Sequence, residues 1–140
     1  MSDTNNGKRQ LGKVTRVEIC RDDRRFLTLW LQIDFGGNEQ AFGGINLATY
    51  DDTKMRAVGH AAGTDFVLRM LDLFGVNSLD AIKGRYVYAL RDMYFDPIHT
   101  LEIPKVDGGR RFATEEWRRE MFPERFACGG DPNEAAPVMR

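Results

Sequence analysis

Residues 26–35, FLTLWLQIDF, alternate without a break: Leu27, Leu29, Leu31, Ile33 and Phe35 fall on one side, and Phe26, Thr28, Trp30, Gln32 and Asp34 on the other. A period of two over ten residues specifies a strand with one wholly apolar face, which must be covered by another layer. The flanks extend the pattern. LGKVTRVEIC (11–20) is β-rich and sets Val17 and Ile19 against Arg16 and Glu18. The charged stretch in CRDDRRF (20–26) joins the two runs as a hairpin loop. GGNE is a second turn signal, and QAFGGINL returns as a third strand. Its paired glycines predict a bulge or a close backbone approach. The N-terminal half therefore reads as a three-stranded antiparallel meander.

The cover is expected from TDFVLRMLDLFG, where Phe66, Val67, Met70, Leu71 and Phe74 recur at helical spacing. Thr64 is the expected N-cap, and Gly75 occupies the position that favours a left-handed residue after a helix. Residues 48–63 are polar and read as a loop with at most one helical turn, and 78–82 as a short turn capped by Ser78. GRYVYALRD (84–92) and IHTLEIP (98–104) supply two later strands. TEEWRREMF is a short helix, capped by Thr114 and stopped before Pro123. The fold class is thus α+β: an antiparallel sheet, meander plus two later strands, packed against one central helix, with a short C-terminal helix. Residues 1–9 and the Gly/Pro-rich 126–140 are expected to be flexible, and 10–125 to form a single domain.

Charge narrows the function classes. Twenty Lys and Arg against 21 Asp and Glu leave a net charge of −1, so a nucleic-acid polymer is not the expected partner. No apolar run approaches the ~20 residues of a membrane span. MSDTNNGKRQ contains no apolar targeting core, and Cys20 and Cys128 read as free thiols of a reducing compartment. A cytoplasmic protein is expected.

The chain offers little for catalysis. The two histidines, His60 and His99, and the two cysteines lack metal-ligand spacing, so neither a metal nor another cofactor is expected. There is no G-x-S-x-G or phosphate-binding P-loop motif. Cys20 reads as a packed thiol, and Asp22/Asp23 and Asp51/Asp52 are adjacent pairs that tend to point apart. What recurs is arginine beside aromatic residues and glycines at the ends of β segments. Arg21, Arg24, Arg25 and Phe26 lie at the first hairpin, with Tyr86, Tyr88 and Arg91 at a later strand. Arg110 and Arg111 follow a double glycine, and His99 alternates with Leu101 and Ile103 in the IHTLEIP run. A guanidinium fork matches phosphate, and aromatic faces stack on bases. These ten residues are the candidate ligand-binding set. The hairpin tip alone is open to two readings, a solvated turn or one wall of an anionic site, because Asp22 and Asp23 offset part of its positive charge.

The order of a hairpin around a charged turn, then FGGINL, a helix ending LDLFGV, SLDAIKGRYVYALRD and IHTLEI resembles small proteins of phages and mobile elements. Over residues 11 to about 112 it looks most like the anti-Thoeris sponge family (Thoeris anti-defence one). The resemblance implies a non-catalytic protein of the host cytoplasm. It would bind a cyclic ADP-ribose isomer, or a cyclic oligonucleotide, and keep it from its immune effector. It also implies a homo-oligomer, dimer or hexamer, with ligand sites at subunit contacts. Two rivals stand beside it. One is an accessory protein that inhibits a host protein by direct contact. The other is a small nucleotide-processing enzyme using Asp22, Asp23 or His99.

Overall fold

In a computed structural model describing residues 8–22 and 25–125, the alternating run forms the second strand of a long meander. The meander consists of β1 (Arg9–Asp22), β2 (Phe26–Asp34) and β3 (Glu39–Asn46). The chain then makes a separate hairpin, β4 (Ala48–Asp51) with β5 (Arg56–Gly59), before helix α1 (Ala61–Phe74). Three strands follow, β6 (Tyr86–Leu90), β7 (Thr100–Glu102) and β8 (Arg111–Ala113), and then helix α2 (Thr114–Met121). The main sheet is antiparallel, in the order β3-β2-β1-β6-β7-β8. The α+β class expected from the sequence is the observed one, with a third late strand, β8, besides the two foreseen. Strand β1 begins at Arg9, inside the segment expected to be loose. The expectations for 1–7, Asp23, Arg24 and 126–140 lie outside the described residues.

Register follows from the apolar face. Val17 pairs with Leu31 and Ile19 with Leu29, while Leu29, Leu31 and Ile33 are fully buried. Burial of each such side chain contributes about 1.5–3 kcal/mol, and a one-residue slip would turn all three to solvent. Phe66, Met70, Leu73 and Phe74 of α1 close over this face. Phe66 makes edge-on contacts with Phe112 and Trp117, centroids 5.6 and 5.5 Å apart, and Phe112 and Trp117 meet in a tilted contact at 6.3 Å. The Trp117 indole donates to Asp65 Oδ2 at 2.9 Å, which ties α2 to α1.

The glycine pair does both things its position predicts. Leu29 pairs with Ile45 but Trp30 with Gly43, so Gly44 is the extra residue of a bulge. Gly43 has φ 118° and Gly44 φ 72°. A Cβ on Gly44 would lie 2.5 Å from the Trp30 ring, so the indole rests on the bare backbone.

Four local expectations are corrected. Residues 48–59 are a hairpin, not a loop, turned by Asp51, whose Oδ1 accepts the N–H groups of Thr53 and Lys54 at 2.9 and 3.2 Å. Helix α1 is capped four residues before Thr64: His60 is its N-cap, with Nδ1 accepting the Gly63 N–H at 2.9 Å. Gly63 is required there because a Cβ would meet the Leu47 backbone at 2.5 Å. Thr114 is the first residue of α2 instead of its cap, and its N–H is held by the His99 carbonyl at 2.9 Å. Ser78 precedes the 79–82 turn without a side-chain capping bond. The Gly75 expectation holds: φ is 68°, and the Gly75 and Val76 N–H groups return to Asp72 and Leu71.

Candidate functional site

Strand β1 separates the expected ligand residues. Arg21 pairs with Leu27 beside the hairpin tip, whereas Arg9, at the other end, pairs with Leu90 just before Arg91. At about 3.3 Å per residue the two ends lie roughly 40 Å apart along the strand. The arginines at the two ends therefore do not share one site within a chain.

The tip does carry a cavity. It is an open cleft of about 380 Å³, lined among the described residues by Arg25, Phe26, Asn46, Thr49, Tyr50 and Asp52. The Arg25 guanidinium lies over the Tyr50 ring, 4.7 Å from its centroid, a cation–π contact. Phe26 leaves 44% of its surface to solvent despite being a large aromatic residue. The corner where β3 passes into β4 builds the floor. Asn46 Oδ1 accepts the Leu27 and Ala48 N–H groups at 3.1 and 3.3 Å, and the Leu47 N–H donates to Leu27 at 2.7 Å. The walls thus offer a cation, two aromatic faces, an amide, a hydroxyl and a carboxylate in a volume typical of small-molecule sites, ~300–1,000 Å³. Arg21 is exposed on the adjoining strand, and Arg24 lies outside the described residues.

Arg91 has a structural role. It is 3% exposed. Its guanidinium donates to Gln40 Oε1, to Gln10 Oε1 at 2.6 Å and to the Tyr94 carbonyl at 3.2 Å, and it faces the rings of Phe35 and Tyr94. Its Nε–H finds no acceptor among the described residues. Desolvation lowers its pKa from the usual arginine value, and Tyr94 offsets part of that. An arginine so enclosed pins the loop after β6 to β1 and β3.

The remaining expected residues also have assigned places. Tyr88 and Arg111 belong to a surface ladder: Arg9 lies over the Tyr88 ring at 3.8 Å and meets Glu102 at 3.3 Å, and Arg111 lies between Glu102 and Glu116 at 3.7 and 3.5 Å. Half-exposed Tyr86 lies elsewhere, against a crevice with Arg85, Phe74, Ile103 and Asp107. Arg110 donates from Nε to the Leu73 carbonyl at 2.8 Å, satisfying a carbonyl in the last turn of α1. His99 accompanies Asp92 (Nε2 to Oδ1, 3.3 Å) and Thr100 (2.7 Å) at a second cavity of about 370 Å³, near Asp96, Glu115 and Arg118. Carboxylates outnumber cations there, which disfavours an anionic guest.

Of the ten candidates, Arg25 and Phe26 share the tip cavity. Asn46 was missed inside the QAFGGINL run, read only as a strand, and Thr49, Tyr50 and Asp52 because they lie in the segment read as a loop. The signal that finds them is YDDTK, in which an aspartate at the head of a four-residue turn marks a hairpin. No described group of histidine, cysteine and carboxylate side chains could hold a metal ion, and no helix among the described residues is long and apolar enough to cross a membrane. Compared with protein-family models, curated proteins and solved structures, the chain matches none of them.

Proposed function

We propose that this protein binds and holds a small anionic nucleotide, a cyclic ADP-ribose isomer or a cyclic oligonucleotide, in the cavity at the tip of the β1–β2 hairpin. The observation that carries the reading is the Arg25 guanidinium stacked on Tyr50 beside half-open Phe26. Arg25 supplies a donor fork for a phosphate, and Phe26 and Tyr50 supply faces for a base. Thr49, Asn46 and Asp52 supply hydrogen-bonding groups for ribose and base edges. None of these described lining residues is a histidine or cysteine, which favours holding the ligand over converting it. In the setting implied by the anti-Thoeris resemblance, the held ligand is an immune signal withdrawn from its effector. Titration calorimetry against cyclic ADP-ribose isomers and cyclic di- and trinucleotides tests this. Heat from at least one, with the ligand recovered intact by mass spectrometry after heating, is expected. Silence across the panel at micromolar protein, or recovery of a cleaved product, overturns it.

One observation favours a second reading, inhibition of a host protein by contact. Phe95 is 91% exposed, beside exposed Met93 and Tyr94, on a loop held rigid by Arg91, by Gln40 donating to the Asp96 carbonyl (3.3 Å) and by Asn38 donating to the Tyr94 hydroxyl (3.3 Å). A rigid exposed aromatic is the usual anchor of a protein interface. This reading predicts a host protein retained by the wild type and lost with Phe95→Asp. Equal retention by both would remove it.

A further inference from the structure

Among the described residues, the outer edge of β1 is only half occupied. Strand β6 pairs with Arg9–Lys13, and the Val14 N–H and carbonyl are taken by Arg85 and Gly84 at 2.9 and 2.7 Å. From Thr15 to Asp22, no other described element pairs with that edge; β2 holds only the inner side. An unpaired row of backbone donors and acceptors invites another strand. No proline interrupts TRVEICRD, and the register irregularity lies at its start, between Val14 and Arg16. Ile19, on the same face as fully buried Leu29, is left 47% exposed.

We infer that this edge pairs antiparallel with the same edge of a second copy, around a twofold axis at Ile19. Directly opposite residues in such a ladder share a face, so the axis must pass through a residue position. Centred on Ile19, the pairing sets Arg16 opposite Asp22, Val17 opposite Arg21 and Ile19 opposite itself. Centred on Glu18 it sets two glutamates together, and centred on Cys20 it sets Glu18 opposite Asp22. Centring on Val17 matches Arg16 with Glu18, but beyond Thr15 the second strand meets the Arg85 and Gly84 backbone already bonded to Val14. The Ile19 axis uses Arg16–Asp22 of the open edge, sets Arg16 against Asp22 twice and opposes no like charges. A short ladder lies at the low end of specific interfaces, under about 1,200 Å², so association is in the micromolar range.

The pairing also deepens the proposed function, and in this part it rests on that reading. Asp22 pairs with Phe26, so Arg16 of the second copy arrives one strand beyond Phe26 and adds a cation beside the tip cavity. Each dimer then carries two such sites.

Sedimentation equilibrium of the full chain up to about 200 µM tests the association, and a separate ligand titration of the same samples keeps its failure distinguishable from failure of the nucleotide reading. Wild type is expected to approach twice its 16.0 kDa mass. Ile19→Lys is expected to weaken association at least tenfold with an unchanged melting temperature, since two lysines would face each other at the axis. Arg16→Asp should weaken it likewise, and adding Asp22→Arg should restore it. A monomeric wild type, or a dimer indifferent to Ile19→Lys, overturns the proposal. Loss with Ile19→Lys but no recovery in the double variant overturns the register.

Discussion

The Arg91 guanidinium donates to the Gln10 side-chain oxygen at 2.6 Å, joining the first strand of the sheet to the loop that follows β6. The link lies at the end of the sheet away from the hairpin tip, and among the described residues this buried cation donates to neutral acceptors, two glutamine side chains and a carbonyl. A residue chosen from the sequence as an anion ligand is thereby a clamp.

Replacing Arg91 by Met should cost about 2–3 kcal/mol, because the Gln10 and Gln40 acceptors and the Tyr94 carbonyl lose a charged donor in a buried place. For a domain of this size that lowers the melting temperature by about 6–12 °C. Nucleotide affinity at the tip should not change. Calorimetric melting together with ligand titration checks both parts.

The His60 cap is expected to follow the ordinary capping scale. His60→Ala removes the acceptor for the Gly63 N–H and should cost about 1 kcal/mol, while His60→Asn, which keeps a capping oxygen, should recover most of it. Denaturant midpoints of the two variants measure the difference.

At the bulge, Gly43→Ala should be the more damaging of the two glycine substitutions. A Cβ there meets the Leu29 carbonyl oxygen at 2.4 Å, on a backbone with φ 118°. About 3 kcal/mol or more is expected, since neither the strand nor the dihedral can yield cheaply. Gly44→Ala meets the edge of the Trp30 ring, which can swing outward, so its loss should be smaller and should appear in the indole fluorescence. Urea unfolding of both variants ranks them.

These cases also show what was legible in the sequence. The β2 alternation, the FGG bulge and Gly75 could be read because each is a local demand of backbone geometry, written in adjacent residues. The β4–β5 hairpin could not be read from apolar alternation: its strands are four residues long, and its turn includes Met55 at φ 56° instead of a glycine. The start of α1 was hidden because a histidine performs the capping usually left to serine, threonine or aspartate. Arginine clusters were visible as composition, but which of them meet depends on β1 register. Register put Arg25 with Tyr50, buried Arg91, and left Tyr88 and Arg111 in a compensated surface ladder.

Nucleotide holding at the hairpin tip is tested by the dissociation constant of the tightest cyclic-nucleotide binder for wild type, Tyr50→Ala, Arg25→Ala and His99→Ala. At least a tenfold loss, about 1.4 kcal/mol, is expected for each of the two tip variants at unchanged melting temperature. His99→Ala should keep wild-type affinity. Full affinity in both tip variants, or a loss confined to His99→Ala, would contradict nucleotide holding at the tip.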